Sequence, residues 1–239
     1  MSKLNIIIPL AGSGKRFVRA GYKKPKPLID VNGKTMLERV IDNLTPKRRD
    51  HKFFFVVMAH HFTDEMKDIM MKTKSYEIIL LDSYTDGATC SALKASNLED
   101  GPVLLASCDQ IVDFDVDNFL DSVHGLDGAL VTYKTTAPNH SFCKVKKGKV
   151  VEVAEKKVIS DHGNVGIYYF GDNENFSSYA WRMVNQCIVF NGEFYNSLIY
   201  NEMIEGLSDD IEIYEVEPKD AHVIGTPDTL RRYIDLLNK

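Results

Sequence analysis

The first half of the chain alternates between two kinds of hydrophobic pattern. Continuous apolar runs over Ile6–Leu10 and Phe53–Met58 predict strands that are buried on both faces. Between them, Thr35–Leu44 carries its apolar residues at helical spacing and predicts an amphipathic helix. The pattern continues with a helix over Thr63–Met71, a strand over Tyr76–Leu81, a helix over Ala88–Leu98 and a strand over Val103–Ser107. Strands and helices that alternate at this interval predict a parallel sheet with right-handed crossovers.

The second half has a less regular pattern. Phe142–Val145 and Val150–Val153 flank Lys147-Gly148-Lys149, and this arrangement predicts a hairpin. The other predicted elements are strands over Ala129–Tyr133, Val165–Phe170 and Ile211–Val216, and helices over Phe176–Gln186, Phe194–Met203 and Thr226–Leu237. Because no repeat and no Gly/Ser-rich linker interrupts the pattern, residues 1–239 are expected to form a single α/β domain. Its expected architecture is a Rossmann-like mixed, mostly parallel sheet flanked by helices.

Composition narrows the range of partners. The net charge of −5 offers no broad attraction for nucleic acid or for an anionic membrane, so any phosphate site must come from a local cluster of cations. The apolar runs are too short to span a bilayer, and the N-terminal residues carry no signal-peptide pattern. The four cysteines form no C-x-x-C pair, which fits reduced thiols in the cytoplasm. The oligomeric state stays open, and a homo-oligomer is among the states that the sequence allows.

A glycine-rich loop follows the first strand directly. Its residues are Leu10-Ala11-Gly12-Ser13-Gly14-Lys15-Arg16. Small residues let backbone N–H groups approach a triphosphate, and the two cations can offset its charge. The spacing argues against a Walker A loop, which needs four residues between its glycines. It also argues against a dinucleotide fingerprint, because Phe17 stands where the third glycine belongs. A phosphate-binding loop and an ordinary tight turn with surface charges both stay open on these residues alone.

A second basic segment follows the glycine loop at Lys23-Lys24-Pro25-Lys26-Pro27. Lys23 and Lys24 fit a solvated basic surface. Lys26 is different, because the prolines on both sides restrict the backbone and so limit where its side chain can point. A preorganised lysine suits a transition state that carries charge on phosphoryl oxygens. We therefore take Lys26 as a candidate catalytic residue.

These segments together resemble the sugar-phosphate nucleotidyltransferases, the family of glucose-1-phosphate thymidylyltransferase and its relatives. The family pattern is G-x-G-x-R followed by K-P-L, and Gly12, Gly14, Arg16 and Lys26-Pro27-Leu28 match it. The resemblance extends to Thr85-Asp86-Gly87-Ala88 and to the Asp109-Gln110 pair that ends a predicted strand. It implies a GT-A-like nucleotidyltransferase fold in which the N-terminal half binds an NTP and the C-terminal half binds a phosphorylated acceptor. It also implies transfer of a nucleoside monophosphate to that acceptor, with release of pyrophosphate.

The resemblance assigns roles to residues of the N-terminal half. Arg16 would attract the negative charge of the leaving pyrophosphate, Lys26 would contact the reacting phosphates, and Asp109 would hold Mg²⁺. Gly87 is the candidate on the nucleobase side. The nucleotide-binding residues implied in this way are Leu10, Ala11, Gly12, Ser13, Gly14, Lys15 and Gly87. No protein nucleophile is expected, because an acceptor phosphate is already an anion that can attack the α-phosphorus.

The resemblance also assigns residues to the acceptor. Glu155 and Lys156 match the family's E-K-P segment, with Lys157 in place of the proline, and would contact an acceptor hydroxyl and the acceptor phosphate. Gly166 would line the acceptor pocket with its backbone. Asn191-Gly192-Glu193-Phe194-Tyr195 is a further candidate for acceptor contacts.

One departure from the family pattern concerns the metal. Many relatives carry a second metal-binding Asp two residues before a G-T-P motif, and Val223 occupies that position here. A valine cannot bind Mg²⁺, so either Asp109 holds the ion with phosphates and water, or another acid such as Asp220 substitutes. His222 is disfavoured because Mg²⁺ prefers oxygen ligands.

The base and the acceptor stay open. The form of the Asp109 segment, the short chain and the hairpin that begins at Phe142 are most similar to small nucleotidyltransferases from bacterial capsule clusters. Those relatives make surface-polysaccharide precursors and include cytidylyltransferases for phosphocholine and phosphoglutamine. The alternative from another class is an inactive nucleotide-sensing or scaffold protein, which Val223 favours. An isoprenoid- or molybdopterin-type nucleotidyltransferase would share the glycine loop, but Glu155-Lys156 and Gly166-Ile167-Tyr168 argue against it.

Overall fold

The computed structural model describes residues 2–206 and 210–238. The helices are α1 (Lys15–Arg19), α2 (Met36–Leu44), α3 (Asp64–Met70), α4 (Ala88–Ala92), α5 (Val116–Ser122), α6 (Asn173–Asn185), α7 (Ile199–Glu205) and α8 (Pro227–Leu237). The strands are β1 (Leu4–Leu10), β2 (Asp30–Val31), β3 (Lys34–Thr35), β4 (His51–Met58), β5 (Tyr76–Leu81), β6 (Val103–Ala106), β7 (Gln110–Val112), β8 (Gly128–Lys134), β9 (Ser141–Lys146), β10 (Lys149–Glu155), β11 (His162–Phe170), β12 (Ile211–Val216) and β13 (Ala221–Val223).

Within the described residues, one sheet of nine strands forms the centre of the fold. Its path runs β10-β9-β11-β6-β1-β4-β5, with β8 on the other side of β11 and β12 beside β8. Strands β6, β1, β4 and β5 are mutually parallel, as the alternating pattern of the first half predicts. Strand β11 joins this parallel part antiparallel to β6, and the hairpin β9–β10 forms as expected. The expected mixed α/β sheet flanked by helices is therefore confirmed.

The two faces of the sheet are covered by different helices, and this is why the first strands are apolar throughout. Ile6 and Ile8 point into a core with residues of α2, α3 and α5, whereas Ile7 points into a core with residues of α4, α6 and α7. In β4, Phe53 and Phe55 belong to the first core and Phe54 to the second. Because successive side chains of a strand point to opposite faces, a strand covered on both sides needs apolar residues at every position.

Strand β11 is where the two halves of the chain meet. It pairs with β6 through Ile167–Phe170 and with β8 on its other edge. The pairing with β8 is irregular between Asn164 and Tyr168, so the strand bulges around Gly166. Gly166 has φ +104°, a backbone conformation that favours glycine. The bulge turns the carbonyl of Gly166 toward the N–H of Ser107 at 3.2 Å, beside the end of β6.

Two predicted helices are shorter in the structure. The segment predicted as a helix over Ala88–Leu98 is helical only over α4, because the N–H groups of Lys94 and Ala95 bond three residues back in tighter turns. The segment predicted over Phe194–Met203 begins with extended backbone, passes through a 3₁₀ turn at Asn196–Leu198 and becomes helical only in α7. Helices α1 and α5 and the short strands β2, β3, β7 and β13 are additions to the predicted set. In the part of the chain that the structure describes, no helix has both the length and the apolar composition to cross a membrane.

Tyr200 anchors α7 to the sheet. Its buried hydroxyl lies 2.7 Å from the carbonyl oxygen of Tyr169 on β11 and 2.9 Å from that of Ala129 on β8. We expect Tyr200→Phe to lower the free energy of unfolding by about 1–2 kcal/mol, because a buried hydrogen bond is lost without a change in packing. Urea denaturation measures this. The matched control is Tyr76→Phe on the exposed edge of β5, for which a change within about 0.5 kcal/mol is expected.

Candidate active site

A cavity of about 580 Å³ opens at the carboxyl ends of the parallel strands. This is the edge at which open α/β sheets bind their ligands. Its lining comes from the loops after β1, β5 and β6 and from parts of the C-terminal half. The lining residues are Pro9, Leu10, Ala11, Gly12, Ser13, Gly14, Lys15, Arg16, Phe17, Lys26, Pro27, Tyr84, Thr85, Gly87, Ala88, Ser91, Ser107, Cys108, Asp109, Glu193 and Gly225. The structure thus places all the nucleotide-side candidates around one cavity.

The glycine loop changes directly into a helix. Gly14 has left-handed backbone angles (φ 59°, ψ 17°) and precedes the first turn of α1. Its carbonyl accepts the N–H groups of Phe17 and Val18, and the buried ring of Phe17 fixes the turn to the core. A Cβ atom at Gly14 would lie 3.5 Å from Cβ of Lys26, so the loop passes close to the second basic segment. The backbone is therefore bent toward Lys26 at the position where only glycine is free of strain.

Lys26 and Asp109 form an ion pair inside the cavity. The distance from Nζ of Lys26 to Oδ2 of Asp109 is 2.6 Å, and both side chains are mostly buried. Burial alone would lower the pKa of Lys26, but the negative charge and the hydrogen bond of Asp109 outweigh it and raise this pKa above its ordinary value. Lys26 is therefore a cation across the neutral range, and Asp109 is its counterion.

The backbone around Asp109 is held on several sides. Its carbonyl oxygen accepts the N–H of Ile224 at 2.8 Å, which ties the end of β6 to the loop after β13. A Cβ atom at Gly225 would lie 2.3 Å from Oδ2 of Asp109, so only a glycine allows this approach. The neighbouring Cys108 is buried, and this burial raises the pKa of its thiol, so it stays neutral.

Gly87 lies where the nucleotide side meets the C-terminal half. Its φ of +138° favours glycine, and a Cβ atom there would lie 2.5 Å from both N and O of Phe194. The N–H of Phe194 donates to the carbonyl of Asp86 at 2.8 Å, and the N–H of Thr89 donates to the carbonyl of Phe194 at 3.3 Å. This pairing brings Glu193 into the lining of the cavity. We call the contact of residues 86–89 with Phe194 the backbone clasp.

Two of the acceptor-side candidates, Glu155 and Lys156, form a second cluster that does not line the cavity, whereas Gly166 lies against Gln110. The buried carboxylate of Glu155 accepts the hydroxyl of Ser197 at 2.9 Å, and burial raises the pKa of Glu155 although Ser197 and Lys156 oppose the shift. Nζ of Lys156 donates to the hydroxyl of Tyr195 at 2.6 Å and lies 4.4 Å from the centre of that ring. It also lies 5.5 Å from the ring centre of Phe190. The clasp residue Phe194 directly precedes Tyr195, so this cluster is connected to the nucleotide side through one short segment.

The residue at the position of the family's second metal-binding Asp has a structural role. Val223 pairs with Gln110 in the ladder between β13 and β7 and packs against the core. Asp220 is outside the cavity lining, and its carbonyl accepts the N–H of Asp113. The imidazole of His222 bonds to the carboxylate of Asp113 at 3.0 Å. Across residues 2–206 and 210–238, no group of three His, Cys, Asp or Glu side chains lies close enough to hold a metal ion.

Several residues that line the cavity are not among the nucleotide-binding residues predicted from the sequence. Thr85 and Ser91 place their hydroxyl oxygens 2.6 Å apart beside the cavity, and Tyr84 is also part of its lining. Tyr84 and Thr85 lie in the loop after β5, so their position beyond a strand end is a usable signal. Glu193, which the resemblance offers for acceptor contacts, reaches this lining through the backbone clasp, and Gly225 reaches it through its contact with Asp109. Both contacts join segments that are far apart in sequence.

Comparison with known proteins adds the following findings. Residues 6–149 match the family described as the MobA-like NTP transferase domain. The bifunctional protein GlmU of Methanococcus vannielii is 27% identical over 184 residues, which is 72% of this chain and 41% of that protein. The chain therefore spans about two fifths of the length of this curated relative.

Solved structures share the fold at low identity. A nucleoside-diphosphate-sugar pyrophosphorylase from Vibrio cholerae RC9 superposes with a TM-score of 0.78 at 24% identity, covering 96% of this chain and 99% of that one. A putative glucose-1-phosphate thymidylyltransferase from Bacillus anthracis gives 0.77 at 17% identity, with 98% and 94% covered. The inositol-1-phosphate CTP transferase from T. maritima gives 0.78 at 14% identity, with 100% and 96% covered.

The backbone clasp yields a test of stability. We expect Gly87→Ala to lower the free energy of unfolding by about 2 kcal/mol or more, because the new methyl group meets the backbone of Phe194 and the residue keeps an unfavourable φ. Chemical denaturation measures the change. The matched control is Gly12→Ala in the same cavity, where an added Cβ meets nothing within 4 Å, and a change below about 1 kcal/mol is expected. Equal losses in the two variants would contradict the clasp.

Proposed function

Because the chain belongs to the family of MobA-like NTP transferase domains, we propose that it transfers a nucleoside monophosphate from an NTP to a phosphorylated small-molecule acceptor. Pyrophosphate is the second product. The observation that carries the proposal is the single cavity in which the glycine loop, the Lys26–Asp109 pair and Gly87 meet. A loop of small residues, three cations and one carboxylate at the carboxyl edge of a parallel sheet is the chemistry that a triphosphate and its counterion require.

The proposed arrangement of the NTP follows from the lining of the cavity. The triphosphate lies along Leu10–Arg16, with Arg16 and Lys15 toward the leaving pyrophosphate and Lys26 toward the α-phosphate. The base lies toward Gly87, where the hydroxyl groups of Thr85 and Ser91 are in reach of a polar base edge. The negative charge of Asp109 keeps Lys26 a cation in the resting site, and the negative charge of the phosphate oxygens would do the same after the exchange. The charge needed for catalysis is thus already present in the folded chain.

The donor set in the cavity fits Mg²⁺ that arrives with the nucleotide. Mg²⁺ in phosphate-transfer sites is typically held by one or two carboxylates, while substrate phosphates and water supply the other oxygens. Asp109 is such a carboxylate, and it lies beside the cations that would meet the phosphates. A bound Mg²⁺ would neutralise charge on the phosphate oxygens. Val223 adds no ligand, so Asp109 is the protein ligand in this proposal.

The proposed reaction is an in-line displacement. An oxygen of the acceptor phosphate forms a bond to the α-phosphorus of the NTP, and the bond from that phosphorus to the bridging oxygen of pyrophosphate breaks. The electron pair of the broken bond leaves with the pyrophosphate, whose charge Arg16 offsets. The acceptor phosphate is ionised near neutral pH, so no general base has to remove a proton. The contribution of the protein is positioning and charge stabilisation.

We propose that the acceptor occupies the cluster around Glu155, Lys156 and Gly166. Glu155 would accept a hydroxyl group, and Lys156 would exchange its bond with Tyr195 for a bond to the acceptor phosphate. A sugar 1-phosphate fits this set of partners. The rings of Phe190 and Tyr195, which already flank the ammonium group of Lys156, favour phosphocholine as the second candidate acceptor, since aromatic faces attract such cations. Phosphoglutamine is a third acceptor to test, in each case with CTP.

The deciding experiment is a matrix of each NTP against mixed phosphorylated acceptors, followed by pyrophosphate release. Release that depends on one NTP and one acceptor supports the proposal and names both substrates. NTP binding by calorimetry without pyrophosphate release from any pair would instead support the nucleotide-sensing or scaffold alternative. If the preferred acceptor is a sugar phosphate, phosphocholine or phosphoglutamine, the proposal extends to a capsule or other surface-polysaccharide pathway.

We expect Lys26→Ala and Asp109→Ala each to lower kcat by about 10²–10⁴-fold, because each removes charge at the reacting phosphates. Pyrophosphate release measures the loss, and circular dichroism checks that the fold persists. The matched controls are Lys24→Ala and Asp113→Ala, whose side chains bond to Glu65 and His222 at the surface. These controls are expected to keep kcat within about 3-fold. Near-normal turnover of either cavity variant would remove that residue from the mechanism.

We expect Lys156→Ala to raise the KM for the acceptor by about 10-fold or more while the KM for the NTP stays nearly constant, since the lost charge acts on the acceptor alone. Steady-state kinetics with each substrate varied in turn measures the two constants. Lys157→Ala, at the next and exposed position, is the matched control and is expected to change neither constant. An equal rise in both KM values would show that Lys156 does not act on the acceptor alone.

A further inference from the structure

Gln110 is buried directly beside the carboxylate of Asp109. The residue is only 7% exposed to solvent. Its amide Nε2 donates to Oδ1 of Asp109 at 3.2 Å, while Lys26 holds the other carboxylate oxygen. Each oxygen of Asp109 therefore has its own side-chain donor, and the two donors come from different parts of the chain.

The surroundings of Gln110 hold its side chain in one place. Its backbone belongs to β7, where it pairs with Val223 of β13. On the other side, the amide lies against Gly166 of the β11 bulge, where a Cβ atom would lie 2.3 Å from Nε2. Gly166 therefore leaves room for this amide, and the amide fills the space between Asp109 and the strand that we assign to the acceptor.

The placement of Gln110 does not satisfy all the hydrogen-bonding groups of its own side chain. Among the described residues, Oε1 of Gln110 is buried and has no hydrogen-bond partner. Such an atom loses its hydration with no hydrogen bond to offset the loss, so the residue weakens the fold. An apolar side chain of similar size would avoid this cost. A residue that weakens the fold and bonds the reactive carboxylate has the properties of a functional residue.

We propose that Gln110 is a positioning residue that fixes the orientation of the Asp109 carboxylate. The proposal rests on the proposed function, in which Lys26 turns from Asp109 to the phosphates of the NTP. When that happens, Oδ2 loses its partner, and the bond from Nε2 to Oδ1 keeps the carboxylate from rotating. Oδ2 then faces the phosphates and their counterion in a set direction. Partners of a metal-binding carboxylate typically affect metal affinity or activity by about 10–100-fold.

Two substitutions separate this role from other roles of Gln110. Gln110→Met keeps the size of the side chain but removes the donor, and we expect kcat to fall by about 10-fold or more, with the KM for the NTP nearly unchanged. Gln110→Leu also removes the donor from a side chain of similar size, so a comparable loss is expected. The melting temperature of Gln110→Met is expected not to fall, because the unpartnered oxygen is removed together with the bond to Asp109. A merely structural role would not lower kcat while leaving the stability unchanged.

A binding measurement tests the inference without relying on turnover. Electron paramagnetic resonance of Mn²⁺, titrated into the protein with an NTP analogue that cannot be cleaved, is expected to show affinity about 10-fold weaker in Gln110→Met than in the unmodified protein. The matched control is Thr132→Val, which also removes a buried oxygen without a partner but lies on β8 outside the cavity lining. It is expected to leave kcat and Mn²⁺ affinity unchanged.

The outcomes distinguish the two proposals. If the unmodified protein releases no pyrophosphate from any substrate pair, the proposed function fails, while the Mn²⁺ titration still tests Gln110. If Gln110→Met retains normal kcat and normal Mn²⁺ affinity, the positioning role is overturned although the proposed function stands. A normal kcat in Gln110→Leu also overturns it, because the site would then need no donor at position 110.

Discussion

The ion pair between Lys26 and Asp109 is the interaction around which the site is arranged. It joins the loop after α1 to the end of β6, and it brings a cation and an anion into a partly buried cavity in which either alone would be costly. Two glycines pack closely against this pair, because Gly14 passes beside Lys26 and Gly225 passes beside Asp109. Without a nucleotide the two charges satisfy each other. With phosphates present, the proposed exchange uses the same two groups, so the resting chain already contains the charges of the reaction.

Much of the fold and of the nucleotide side could be predicted from local sequence. The continuous apolar runs of β1 and β4 predict strands that are covered on both faces, and the turn residues between β9 and β10 predict their hairpin. The nucleotidyltransferase resemblance of the glycine loop and K-P-L segment is confirmed by the family match over residues 6–149. The acceptor roles of Glu155, Lys156 and Gly166 stay predictions, as do the catalytic roles of Arg16, Lys26 and Asp109.

What could not be predicted depends on contacts between distant segments. The end of α4 is set by tight turns that the helical pattern of Ala88–Leu98 does not reveal. The pairing of Gln110 with Val223 depends on the register of two three-residue strands, which are too short to carry a hydrophobic pattern. The position of Glu193 in the lining of the cavity depends on hydrogen bonds of its neighbour Phe194. Such contacts are made by the folded backbone, and side-chain types alone do not encode them.

The backbone clasp has a consequence for how this protein can diversify. Its hydrogen bonds run between peptide groups of Asp86, Thr89 and Phe194, so they do not depend on the side chains of the exposed residues 191–193 that precede Phe194. Gly87 is constrained because any side chain there meets the opposing backbone, and Thr89 and Phe194 are constrained by burial. Mutations can therefore accumulate in residues 191–193 while the backbone that lines the cavity keeps its shape. Under the proposed function, natural selection could in this way explore new acceptors one substitution at a time, without first rebuilding the part of the molecule assigned to the triphosphate.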